Sequence, residues 1–179
     1  MRKLKVTEMN RLSVDEFKSA DKLPLIVILD NVRSMYNVGS IFRTSDAFRV
    51  RAIYLCGITG CPPHSEIHKT ALGAEDSVEW KYFETTEQAV ENAKRLGYET
   101  FAIEQCEGST MLNDFSIDDS RNKNTAIILG NEVKGVKQEV VDMCDGCIEI
   151  PQFGTKHSLN VASAGAIVIY SLFRSLTSS

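Results

Sequence analysis

No stretch of this chain approaches the roughly 18 consecutive apolar residues that a bilayer-spanning helix needs. The opening Met1-Arg2-Lys3-Leu4-Lys5 is charged, but polar residues follow where the apolar core of a secretory leader belongs. Both absences predict a cytoplasmic protein. No G-x-G-x-x-G follows the first apolar run, because Leu29-Asp30-Asn31-Val32-Arg33-Ser34 holds no glycine, and no G-x-x-x-x-G-K-[ST] occurs anywhere. Dinucleotide and P-loop readings fall with them. A G-x-S-x-G elbow is missing too, and a hydrolase built on Ser158 with His157 would need adjacent residues to align as nucleophile and base, which they rarely do. Repeats and low-complexity segments are absent.

Cysteine is present in an odd number: Cys56, Cys61, Cys106, Cys144 and Cys147. Cys56 sits in an apolar run and Cys147 beside one, which reads as buried free thiols in a reducing compartment. Cys144-Asp145-Gly146-Cys147 has the spacing of a metal or redox pair, but zinc needs a second ligand pair. The only candidates, His64 and His68, lack the Glu position of the zinc-protease motif, so no metal is expected.

A formal net charge of −4 and a pI near 5.4 argue against a strongly basic nucleic-acid binder. The average hides a division. Residues 1–51 carry a net of +4, with Arg33, Arg43, Arg49 and Arg51 around one motif and Arg2, Lys3, Lys5 and Arg11 at the start, whereas residues 52–179 carry −8. A polyanionic partner would lie against the N-terminal third.

At 179 residues the chain is the size of one domain, able to bury about 70% of the surface its unfolded form exposes. Short apolar runs at 25–29, 52–56, 100–103 and 125–129 read as strands covered on both faces, with further strands at 78–83 and 147–150. Helices are expected at 39–48, 86–96 and 138–144; Thr85 or Thr86 can cap the second, and Gly97 stops it. The alternation predicts an α/β fold, a mostly parallel sheet with helices on both faces. Residues 1–20 form a short N-terminal extension and 21–179 a single domain. The last helix, 161–176, is more apolar than one face needs, which predicts burial by the sheet and by a second subunit, with Tyr170 or Phe173 near that contact.

Three segments carry the chemistry: Asn37-Val38-Gly39 with Arg43; Leu129-Gly130-Asn131-Glu132 with Gly135; and Ile150-Pro151 with Gly154 and Ser158-Leu159-Asn160. Glycine permits close backbone approach, and the polar residues beside it offer fixed groups, so the three segments are expected to converge on one pocket beyond the carboxyl ends of the strands.

These motifs, in this order, resemble the SpoU or TrmH-like branch of the SPOUT RNA methyltransferases, over residues 25–176. The resemblance implies S-adenosylmethionine as methyl donor, a ribose 2′-hydroxyl of tRNA or rRNA as acceptor, a homodimer and a C-terminal deep trefoil knot. By position, the cofactor lies against Ile103, Gly130, Ile150, Ser158 and Leu159, mostly through backbone. Arg43 matches the catalytic arginine, with Asn37, Glu132, Ser158 and Asn160 as its polar setting. Gln152 and Ala162 depart from the family pattern at positions without assigned chemistry. Arg43 either takes the hydroxyl proton or stays charged and stabilises the developing alkoxide. The alternative is a non-catalytic RNA-binding or assembly protein on the same fold; intact Arg43 and Gly130 favour an enzyme. Because relatives that modify large ribosomal RNA often carry a separate N-terminal RNA-binding domain, the short extension favours tRNA.

Overall fold

The computed structural model describes residues 1–117 and 124–177. A 3-10 turn at Val6–Glu8 precedes α1 (Val14–Ser19), and the rest follows as β1 (Leu23–Asp30), α2 (Met35–Ala47), β2 (Val50–Cys56), α3 (Ser65–Ala71), α4 (Ala74–Ser77) and β3 (Trp80–Phe83). Then come α5 (Thr86–Arg95), β4 (Glu99–Ile103), β5 (Thr110–Met111), β6 (Thr125–Leu129), α6 (Gln138–Met143), β7 (Gly146–Glu149) and α7 (Val161–Thr177). The seven strands pair in parallel throughout, in the order β3-β2-β1-β6-β4-β7-β5.

Alternation along the central strands explains their continuous apolar runs. Leu25, Val27 and Leu29 of β1 enter one core layer, shared with Ile41 and Phe42 of α2 and Val168 and Leu172 of α7. Ile26 and Ile28 enter the other, with Ala89, Val90 and Ala93 of α5 and Val140 of α6. A strand buried on both faces has no polar side to show.

The expected strands and helices are present with shifted ends. Helix α2 begins at Met35, four residues before Gly39, because the Ser34 side chain accepts the Asn37 amide and caps the helix there. Three short helices were not expected: α1, α3 and α4. Each is seven residues or fewer, too short for a 3.6-residue period to stand out. Strand β5 is two residues long, a single step of the two-residue alternation that would mark a strand, and was not expected either. The extension is also more than an arm: Ser13 and Glu16 form a capping box on α1, whose Phe17 is buried in the core. Among the described residues no helix is long and apolar enough to cross a membrane.

Candidate active site

Strands β6, β4 and β7 are neighbours, with Ile103 of β4 level with Leu129 of β6 and Ile148 of β7. Their carboxyl ends therefore stand side by side, about 5 Å apart. The loops that leave them surround a cavity of about 560 Å³, within the range of small-molecule sites. Ile103, Gly130, Ile150, Ser158 and Leu159 all line it, together with Glu132 and Asn160. Gly135 of the second motif lines it as well, and sequence reasoning overlooked three further lining residues, Glu104, Gln105 and Lys134. Glu104 and Gln105 directly follow the apolar run of β4, the one signal that could have found them.

Asn37 joins this site from its side. Its amide nitrogen donates to Glu132 Oε1 at 2.9 Å, and its oxygen accepts from Asn160 Nδ2 at 3.1 Å. Glu132 also accepts the backbone amides of Arg33 and Ser34, each at 3.1 Å, at the start of α2. Burial alone would raise the Glu132 carboxyl, but the hydrogen bonds from Arg33, Asn37 and Ser34 outweigh it and hold it below its ordinary value. Glu132 thus fixes its loop to a helix N-terminus as an anion.

Arg43 stands elsewhere. Six positions beyond Asn37 on one helix is about 240° of net rotation, so the two side chains leave α2 in different directions. Arg43 is exposed and lines a separate cleft of about 600 Å³ between α2, α3 and α7, with Ser40, Lys69 and Tyr170. Within one chain, the polar setting expected for it, Asn37, Glu132, Ser158 and Asn160, is gathered without it.

The motif glycines serve reasons other than ligand approach. A Cβ on Gly130 would lie 2.0 Å from the Gly135 carbonyl carbon and 2.2 Å from the Val136 nitrogen, so this glycine lets the loop fold onto itself. A side chain there meets backbone before it meets any ligand. A Cβ on Gly39 would meet Thr70 Oγ1 at 2.1 Å and the Ile67 carbonyl at 2.2 Å, where α2 crosses α3. Gly154 has open space around it.

The cysteines are all free. Burial pushes the Cys56 thiol up to about 12 and the Cys144 thiol up to about 11, so both stay protonated at neutral pH. Cys144 donates to the Val140 carbonyl and Cys147 to that of Glu104, each at 3.2 Å. His68 pairs with Glu75 at 2.6 Å. Among the described residues no three His, Cys, Asp or Glu form a metal-ligating group.

Residues 24–170 match the SpoU rRNA Methylase family profile. The chain belongs to that family. Among relatives of this SpoU chain, the tRNA (guanosine(18)-2′-O)-methyltransferase of Thermus thermophilus is 30% identical over 164 residues, 92% of this chain and 81% of the relative. The solved TrmH/SpoU tRNA modifying enzyme of A. aeolicus superposes with a TM-score of 0.78 at 28% identity, covering 90% of this chain and 80% of the other. An AdoMet-bound rRNA methyltransferase from Sinorhizobium meliloti gives 0.76 at 28% identity, covering 92% of this chain but 61% of its own length. These neighbours share the parallel-sheet architecture of the SpoU chain.

Proposed function

We propose that this SpoU-family protein is an enzyme that transfers a methyl group from S-adenosylmethionine to a ribose 2′-hydroxyl of RNA. One observation carries the reading: two segments far apart in sequence, bearing the second and third family motifs, meet around one cavity of cofactor size at the ends of β4, β6 and β7, and Asn37 of the first motif is bonded to both from the side. Ile103, Gly130, Ile150, Ser158 and Leu159 would hold the cofactor there, with Gly130 acting through the loop shape it permits. S-adenosylmethionine supplies the electrophilic methyl group. The cavity offers apolar wall from Ile103, Leu129 and Ile150, and polar groups from Glu104, Ser158 and Asn160. Asn37 and Glu132 are positioning residues, because they hold the loop to α2.

Arg43 is the catalytic residue in this reading, and it serves the partner's pocket in a homodimer. Two observations support this: Arg43 is absent from its own pocket, and α7 presents an exposed stripe of Ser163, Ile167, Tyr170 and Arg174 next to it. Tyr170 and Ile167 are large apolar side chains left in water at 51% and 42% exposure, the mark of an unfilled interface. A deep trefoil knot belongs to the same reading; α7 returns from β7 at the sheet's far side to pack on α2 and bring Gly165 against Leu129 of β6. So do the division into an extension of 1–20 and a domain of 21–179, and the cytoplasm as its compartment, which reduced cysteines support. The acceptor is tRNA rather than rRNA, supported by the named activity of the Thermus relative.

The test is transfer of labelled methyl from S-adenosylmethionine to tRNA and rRNA. Arg43→Ala keeps the fold and cofactor affinity but loses about 10²-fold or more in transfer. Mixing it with Ser158→Trp, which fills the pocket, restores activity in the mixed dimer, since one subunit then has an intact pocket and the other an intact Arg43. Full activity in Arg43→Ala would sink the catalytic assignment, and failure of the mixture would place Arg43 with its own pocket.

A further inference from the structure

The cleft that holds Arg43 contains a second cation that no motif marks. Lys69 of α3 lines it opposite α2, together with the hydroxyl-bearing Ser40, Thr44 and Thr70. No carboxylate lines the cleft, and among the described residues neither Arg43 nor Lys69 forms an ion pair. The Lys69 ammonium lies over the face of Tyr36, 6.0 Å from the ring centre. Two like charges in one cleft repel each other, and an anionic ligand between them reverses that cost.

The walls are built to keep those charges in place. Gly39 lets α3 approach α2 so closely that a Cβ would overlap the Ile67 carbonyl. Thr70 Oγ1 and Ser40 Oγ both donate to the Tyr36 carbonyl, at 2.9 and 2.8 Å. Tyr36 adjoins Asn37, which is bonded to Glu132 of the pocket loop. Lys69 therefore stands on a rigid platform continuous with the site.

We propose that this cleft is a phosphate-binding site for the RNA substrate, and that Lys69 is a positioning residue that holds a backbone phosphate beside Arg43. The inference rests on the methyltransferase reading and adds to it a residue and a chemical class of contact. Phosphate suits the cleft because it accepts from an ammonium and a guanidinium at once, with no base identity required. The contact is electrostatic, so it is felt in affinity and salt dependence more than in the chemical step.

The experiment compares parent, Lys69→Ala, Lys69→Arg and, as an exposed-lysine control away from the cleft, Lys81→Ala. Unfractionated tRNA is titrated across salt concentrations, S-adenosylmethionine is titrated by calorimetry, and mass is measured by light scattering. Lys69→Ala is expected to bind tRNA about tenfold more weakly, with the salt slope shallower by about 1. In turnover it raises KM for tRNA and leaves kcat within about twofold. Lys69→Arg recovers most of the affinity, Lys81→Ala changes nothing, and cofactor binding and mass stay at parental values. An undiminished salt slope in Lys69→Ala overturns the proposal, as does a change of mass, which would make Lys69 itself a contact that holds the copies together. Failure of the parent to bind S-adenosylmethionine and tRNA would instead remove the methyltransferase reading, and this inference with it.

Discussion

The loop after β6 and the segment between β7 and α7 face each other across one pocket, yet the first is tied down almost continuously and the second hardly at all. Asn131 and Gly135 exchange backbone hydrogen bonds, and the Asn131 side chain accepts the amides of Val133 and Lys134. Glu104 accepts from Val136, and buried Asp30 accepts from Lys137 at 3.1 Å while bonding Thr86 of α5. Residues 152–160 are all exposed, and between 151 and 159 the described residues make a single hydrogen bond, from Gln105 Nε2 to the His157 carbonyl. Phe153 in that segment is wholly in water. A fixed wall can hold a ligand without reorganising, whereas a wall with few internal bonds is free to fit one.

The sharpest way to break this comparison is at Gly130. Gly130→Val forces a branched side chain into the Gly135–Val136 backbone and is expected to cost about 3 kcal/mol or more, read as a large fall in melting temperature. A variant as stable as the parent would show that the loop is not closed on itself.

Asn37→Ala is next, because Asn37 is, among the described residues, the one side chain bonded to both walls, through Glu132 and Asn160. Half-exposed hydrogen bonds predict about 1 kcal/mol of stability, and a fall in cofactor affinity as both walls loosen. Unchanged hydrogen exchange in both segments would mean that each wall stands without it.

Glu132 gives the comparison a pH dependence. Its carboxyl lies below the ordinary value in the folded chain, so the anchoring is fully present above the unfolded value of 4.5 and is lost as pH falls through the lower folded value. Amide exchange of Arg33 and Ser34 should therefore accelerate, beyond its intrinsic trend, only on the acid side of that window. Glu132→Gln should remove this dependence, and a parental profile in the variant would assign the anchoring to other groups.

The smallest effect belongs to the loose wall. Gly154→Ala meets nothing and is expected to change stability by less than about 0.5 kcal/mol. A clear loss of melting temperature would show that the segment is packed after all.

The motifs were legible because glycine, asparagine and proline punctuate the ends of apolar runs, and such runs betray buried parallel strands even in isolation. Legibility stopped where contacts are long-range. Gly130 and Gly39 look in sequence like ligand-approach glycines, but the atoms that require them belong to Gly135, Val136, Ile67 and Thr70. Lys69 drew no notice, since nothing local distinguishes a lysine over Tyr36 from one in water.

By itself the sequence determined the α/β class, the strands that carry the site, and the residues beyond their carboxyl ends, because period and punctuation are local properties of a chain. Only the tertiary structure decided that Asn37 and Arg43, members of one motif, serve two different cavities. It also decided that β6 inserts between β1 and β4, which sets the loop after β6 beside the loop after β4 and brings Glu132 to the start of α2. Helical rotation separates near neighbours in sequence, and strand pairing joins distant ones.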